Sequence, residues 1–276
     1  MTPQTRRRRN VPKEKGTAWE STVAAWLREQ GLSYSRAPLA GTADRLDLVG
    51  PAGAGMLWGC KYRSRPHLRA NGTPAPDRLS EAMGEAEAAL SRLPAAERAE
   101  TVAVQVLNWQ GRATGRAHCV VHAGDLPELA RRCGAGTCWL GSEPGGWERS
   151  FSSWAERAGL PYRSAPELSE LASSELGADP SRLVLAIGTQ AKVTAPRVVD
   201  GRAAPDRLAI AMGEAELMRA AVPRQLRDRV IPVKVLQRPG WEPGDSYAVI
   251  QLSDLAVIVR SARPLHERTG LAPLAS

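Results

Sequence analysis

The chain contains the same text twice. Trp19-Glu20 through Ala37-Pro38 returns 128 residues later as Trp147-Glu148 through Ala165-Pro166, with Trp26/Trp154, Gly31/Gly159, Leu32/Leu160 and Tyr34/Tyr162 in step. A second block returns 129 residues later. Ala75 to Leu79 and Met83-Gly-Glu-Ala-Glu87 reappear as Ala204 to Leu208 and Met212-Gly-Glu-Ala-Glu216. A repeat of this length is far longer than a solenoid unit, so each copy is expected to be a domain with its own core. The duplication divides the chain into a basic, disordered tail over 1–15, a first copy over 16–133, a linker over 134–146, a second copy over 147–262 and a tail over 263–276.

Each copy reads as an alternation of helix and strand. In the first, Trp19, Val23, Trp26 and Leu27 take helical spacing over 18–30, and Gly31 is a stop signal. Arg45 to Val49 alternates like a strand, and the Gly-rich turn at 50–55 returns the chain as a second strand over 56–62. A helix is expected over 77–93, strands over 101–107 and 116–121, and a short helix from Asp125-Leu126. The second copy predicts a helix over 147–158, strands near Glu175 and over 182–193, and a helix from Asp206. Strands over 230–236 and 247–250 and a helix from Asp254-Leu255 complete it. This is an α/β class chain, a mixed sheet flanked by helices in each copy.

With 43% hydrophobic residues the chain is not disordered as a whole. No apolar run approaches the roughly 20 residues of a membrane span. No apolar stretch follows Arg6-Arg7-Arg8-Arg9, so that run is not a secretory signal, and a cytoplasmic protein is expected. The net charge of +8 favours a polyanionic partner, with Arg6, Arg7, Arg8 and Arg9 placed to touch phosphates without reading sequence. Cys119, His122, Cys133 and Cys138 raise a zinc site. However, Cys119 and His122 align with Ala248 and Gln251, and the Cys133–Cys138 spacing is loose for structural zinc, so ordinary thiols are expected.

Of 37 basic residues only Lys13, Lys15, Lys61, Lys192 and Lys234 are lysine. Lys61 and Lys192 lie 131 apart, close to the repeat offset, in a background that otherwise writes arginine. An ammonium group whose pKa can be tuned suits chemistry that a guanidinium does not. Glu20 on the first helix, Asp47 on the first strand and Lys61 on the second could meet at one end of the sheet. Carboxylates there would suit a hard divalent cation, with the lysine orienting water or offsetting developing charge. Read singly, each has a plainer account: a helix-dipole charge, a turn cap, a solvated lysine.

Lys15-Gly-Thr-Ala-Trp-Glu20, Gly31, Gly41 to Gly50 around Asp47, and Gly59-Cys-Lys61 together resemble the core of the PD-(D/E)xK nucleases. Within that superfamily they are most similar to the archaeal-type and phage Holliday junction resolvases. The resemblance implies two tandem restriction-endonuclease-like domains and metal-dependent cleavage of DNA, with Mg²⁺, or Mn²⁺ in its place, as cofactor. It implies Glu20 and Asp47 as metal ligands and Lys61 as the catalytic lysine. Gly59 stands where the family has its second acid; Asp44 is a substitute carboxylate or a turn residue. In the second copy Glu148 matches the helix Glu, and Gln190-Ala-Lys192 matches the Glu-x-Lys strand. For the strand acid there two residues are open: Glu175, at the offset of the helix block, and Asp179 in the following turn. Family resolvases are homodimers, so two fused copies imply a pseudo-dimer within one chain. Two function classes follow: a metal-dependent endonuclease, and an inactive nuclease fold retained for DNA binding. A scaffold with no nucleic-acid role is a more distant third.

Overall fold

The computed structural model describes residues 11–37, 46–51, 54–62, 78–108, 111–135, 137–141, 145–163, 167–179, 182–190, 198–199, 202–203, 207–238 and 240–262. Arg6 to Arg9, Asp44, Lys192 and the Asp77 and Asp206 helix starts lie outside these residues. The first copy carries α1 (Val11–Glu29), β1 (Ser35–Arg36), β2 (Leu48–Val49), β3 (Met56–Lys61) and α2 (Arg78–Ser91). It continues with α3 (Ala95–Ala99), β4 (Val102–Leu107), β5 (His118–His122) and α4 (Leu126–Arg132). Then come β6 (Thr137–Leu140), α5 (Gly146–Arg157), β7 (Tyr162–Arg163), α6 (Leu168–Ala178) and β8 (Val184–Gln190). β9 (Val198–Val199), β10 (Arg202–Ala203), α7 (Arg207–Ala220), β11 (Val230–Leu236), β12 (Tyr247–Gln251) and α8 (Leu252–Ser261) complete the chain.

Ten strands form one mixed sheet in the order β1-β2-β3-β4-β5-β12-β11-β8-β6-β7, while β9 and β10 pair separately. β3 runs parallel to β4, and β8 parallel to β11; each parallel pair is bridged by a helix, α2 or α7. The copies meet at β5 and β12, which pair antiparallel with His118 facing Gln251, Val120 facing Val249 and His122 facing Tyr247. Adding 129 to the pair 118/122 gives 247/251, so the offset carries one end of this ladder onto the other.

Alternation along the strands divides the interior. Val102, Val104 and Val106 enter a core that also holds Trp19, Leu27, Leu126, Phe151 and Leu255, under α1, α4, α5 and α8. Ala103 and Leu107 enter the opposite core with Leu79, Met83, Leu208 and Met212 from α2 and α7. Both clusters draw residues from both copies, so the interior runs unbroken across the β5–β12 junction. The repeated Met83 and Met212 block is thus the helical cover of that junction. Trp26 and Trp154 pack over Gly115 and Gly244, each in a matching 3₁₀ turn.

Three expected features take another form. The basic tail over 1–15 includes the start of α1, whose first turn carries Pro12 and the acidic Glu14. The segment expected to be a strand near Glu175 is α6. Leu168, Leu171, Ala172 and Leu176 are buried at helical spacing, where the first copy has the alternating Leu46 to Val49. The place beside β8 is taken instead by β6, from the segment expected to be a linker. β6 runs parallel to β8, with Cys138 and Leu140 in the main core and Trp139 against a third, smaller cluster that includes Leu168, Leu176, Val184 and Val222. All four cysteines are free and buried thiols. Among the described residues no helix is long and apolar enough to cross a membrane.

Candidate functional site

At the end of β3, Asp47 accepts a hydrogen bond on Oδ2 from the Cys60 backbone N–H at 2.7 Å, which ties the carboxylate just before β2 to the neighbouring strand. Burial pushes the Asp47 carboxyl above the usual range. The Cys60 N–H and Lys61 oppose that shift, while Glu20 and Glu85 add to it. Glu20, Asp47, Lys61 and Glu85 therefore share one electrostatic neighbourhood. Glu20 lies mid-helix in α1, away from the first turn where the dipole would favour it, and accepts from Arg36 Nε at 2.7 Å. Lys61 forms an ion pair with Glu85 of α2. Burial works to lower the Lys61 pKa, but the hydrogen bond and charge of Glu85, aided by Asp47, lift it above the ordinary value. Lys61 is thus held as a cation, not poised as a base.

Gly59 has a steric reason to be glycine. β3 places it opposite Gln105 of β4, and a Cβ built on Gly59 would stand 2.6 Å from Gln105 Nε2 and 2.7 Å from its Cδ. The Gln105 carboxamide lies across the place from which a second acid would project. It is fully buried, and among the described residues neither its Nε2 nor its Oε1 has a hydrogen-bond partner.

The second copy repeats the steric arrangement and changes the residues. Gly188 matches Gly59 at an offset of 129, and it sits opposite Lys234, which matches Gln105. A Cβ on Gly188 would meet Lys234 Nζ and Met218 Sδ, each at 3.0 Å. Lys234 is buried and pairs at 2.7 Å with Glu214, the counterpart of Glu85. Each copy therefore sets one lysine against the first glutamate of the repeated Met-Gly-Glu-Ala-Glu block, but from different strands: Lys61 from β3, Lys234 from β11. The strand register gives Lys61 the partner Leu107 and Gln190 the partner Leu236, so the structural counterpart of Lys61 is Gln190, with Lys192 two residues beyond it.

The remaining expected ligands are apart. Glu148 is buried and folds back over Gly145, the N-cap of its own helix, with its Cδ 2.7 Å from where a Gly145 Cβ would be. Glu175 is on α6 and pairs with Arg163 at 3.4 Å and Arg182 at 3.3 Å, while Asp179 pairs with Arg182 at 3.5 Å. Glu85, Gln105, Glu214 and Lys234 were missed in the sequence. The two glutamates carried a signal, since their block is the best-retained piece of the repeat.

Among the described residues, no group of three or more His, Cys, Asp or Glu side chains is gathered as a metal site. In the first copy Glu20 is held by Arg36, Glu85 by Lys61 and one Asp47 oxygen by a backbone N–H. This donor set does not fit a resident divalent cation. No family model, curated protein or solved structure matches the chain.

Proposed function

We propose that the chain is a catalytically inactive nuclease-fold protein that binds DNA in the cytoplasm. In this reading it is two restriction-endonuclease-like domains of the PD-(D/E)xK type, fused as a pseudo-dimer about the β5–β12 junction. One observation carries the inactive reading. In the first copy the second acid position is glycine, and its register counterpart in the second copy, Gly188, is glycine too, with the side chain of the adjacent strand, Gln105 or Lys234, laid over each. An acid restored at Gly59 would need the Gln105 carboxamide to shift before it could project towards a metal. The lysine of each copy is also engaged by a helix glutamate. The DNA part of the reading is supported by the net charge of +8 and by the resemblance carried by Glu20, Asp47 and Lys61.

Metal-dependent endonuclease activity in the first copy is the second reading, favoured by the shared field of Glu20, Asp47, Lys61 and Glu85. Purified protein is incubated with a labelled four-way junction and with linear duplex, in Mg²⁺, Mn²⁺ or EDTA. Salt-sensitive binding with intact DNA in either metal is the expected outcome. Cleavage that Asp47→Ala and Lys61→Ala abolish would replace the first reading with the second. Absence of binding at low salt would sink both.

A further inference from the structure

The outer face of α5 and the 3₁₀ turn Pro243–Asp245 enclose an open cleft of about 490 Å³, lined by Arg149, Ser150, Ser153, Arg157, Glu242 and Pro243. Trp154, on the same helix, packs over Gly244, which fixes the turn against α5. Arg149, Ser153, Arg157 and Glu242 are exposed. Among the described residues neither arginine has an ion-pair or hydrogen-bond partner, which is also true of Arg28 and Arg260, whereas Arg116, Arg132, Arg182, Arg219 and Arg238 are paired. Ser150 Oγ donates to the Gly146 carbonyl at 3.1 Å, so its proton is already engaged within the helix and Ser153 is the hydroxyl left to donate.

We propose that this cleft binds the phosphodiester backbone of a nucleic acid. Two guanidinium groups eight residues apart lie about 12 Å apart along a helix axis, with the Ser153 hydroxyl between them. Guanidinium forks grip phosphate oxygens through paired N–H donors, and a serine hydroxyl adds one more. Among the described lining residues Glu242 is the one anion; it opposes phosphate and limits affinity. The first copy has no such cleft residues. At the 128-residue offset Arg149 and Arg157 become Ser21 and Glu29, so the second copy carries this contact alone. The inference rests on the DNA-binding reading and assigns it to a surface.

The test uses the full chain and fluorescence anisotropy with labelled duplex over a salt series. Arg149→Gln with Arg157→Gln should weaken binding at least tenfold and reduce the log–log salt slope by up to about 2. Glu242→Gln should tighten binding several-fold. Arg28→Gln with Arg260→Gln makes the same charge change elsewhere and should leave both quantities nearly unchanged. If the wild type binds and the cleft variant matches it in affinity and slope, the cleft is wrong while the DNA reading stands. An equal loss in the control pair also overturns the cleft. No binding by the wild type removes the DNA reading itself. Inorganic phosphate separates the sources of phosphate. At constant ionic strength it should not displace duplex, and displacement beyond that by chloride would assign the cleft to a small phosphate instead.

Discussion

Gly59 and Gln105 form a steric unit whose two members only make sense together. A methyl group on Gly59 would be pressed into the fully buried Gln105 carboxamide, which must shift within the interior to admit it. Gly59→Ala should therefore cost about 1–3 kcal/mol, and Gln105→Ala should recover part of it, with a coupling of about 1 kcal/mol or more in urea unfolding. Additive effects would show that the two side chains do not compete. Gln105→Met tests the unpartnered amide directly. It removes two buried polar atoms at similar volume and should stabilise the fold by about 1 kcal/mol. Asp125 and Asp254, 129 apart in the repeat, are a second matched pair. Burial lifts Asp125 to about 7 and raises Asp254 despite Arg219 at 2.6 Å. The folded state holds protons here that an unfolded carboxyl releases near pH 4. The contribution of Asp125 is full below that pH and is lost as pH rises towards about 7, and that of Asp254 is lost in the same direction. Asp125→Asn should raise the melting temperature at pH 8 and flatten its fall between pH 4 and 7; an unchanged profile would refute the assignment.

At the scale of elements, periodicity was legible wherever a segment buried one regular face. The helices over 78–91 and 207–220 and the strands over 102–107 and 230–236 fall within a few residues of the sequence reading. The reading failed near Glu175 because the repeat was trusted over the local pattern. Leu168, Leu171, Ala172 and Leu176 spell a helix, and once α6 forms, the sheet position it leaves is filled by Thr137 to Leu140. The site was legible only in part for a related reason. Which side chain fills the space above a glycine depends on the neighbouring strand's register, and Lys61 and Lys234 occupy non-equivalent positions around equivalent glutamates. Register also explains why Trp26 and Trp154 recur. A Cβ on Gly244 would lie 2.8–3.1 Å from the Trp154 indole, and one on Gly115 would lie 3.0–3.6 Å from Trp26. Gly244→Ala should cost about 1–3 kcal/mol and Gly115→Ala less, by chemical denaturation. The reverse order would mean the indole rings do not set these turns.

At the scale of the molecule, the duplication announced two copies but not where their cores would lie. Apolar patterning shows which residues are buried, not which neighbour buries them. Here β5 and β12 close the sheet across the repeat, and α2 and α7 cover the seam with one cluster. Polar contacts also cross it: Glu87 of α2 pairs with Arg238 at 3.0 Å, and Glu216 of α7 pairs with Arg116. Separating the copies would expose the β5 edge and half of each apolar cluster, the arrangement that recruits another strand. The lost partner has a ready substitute. Because 118/251 maps onto 247/122 at the repeat offset, a second β5 can replace β12 with His118 facing His122 and Val120 facing Val120. Residues 11–135 expressed alone should therefore form a homodimer in sedimentation equilibrium, while the full chain unfolds in one cooperative transition. Val120→Asp at the centre of the new ladder should abolish that dimer. A soluble monomeric half with native-like stability would show that each copy holds its own core after all, and the shared interior would lose its structural role.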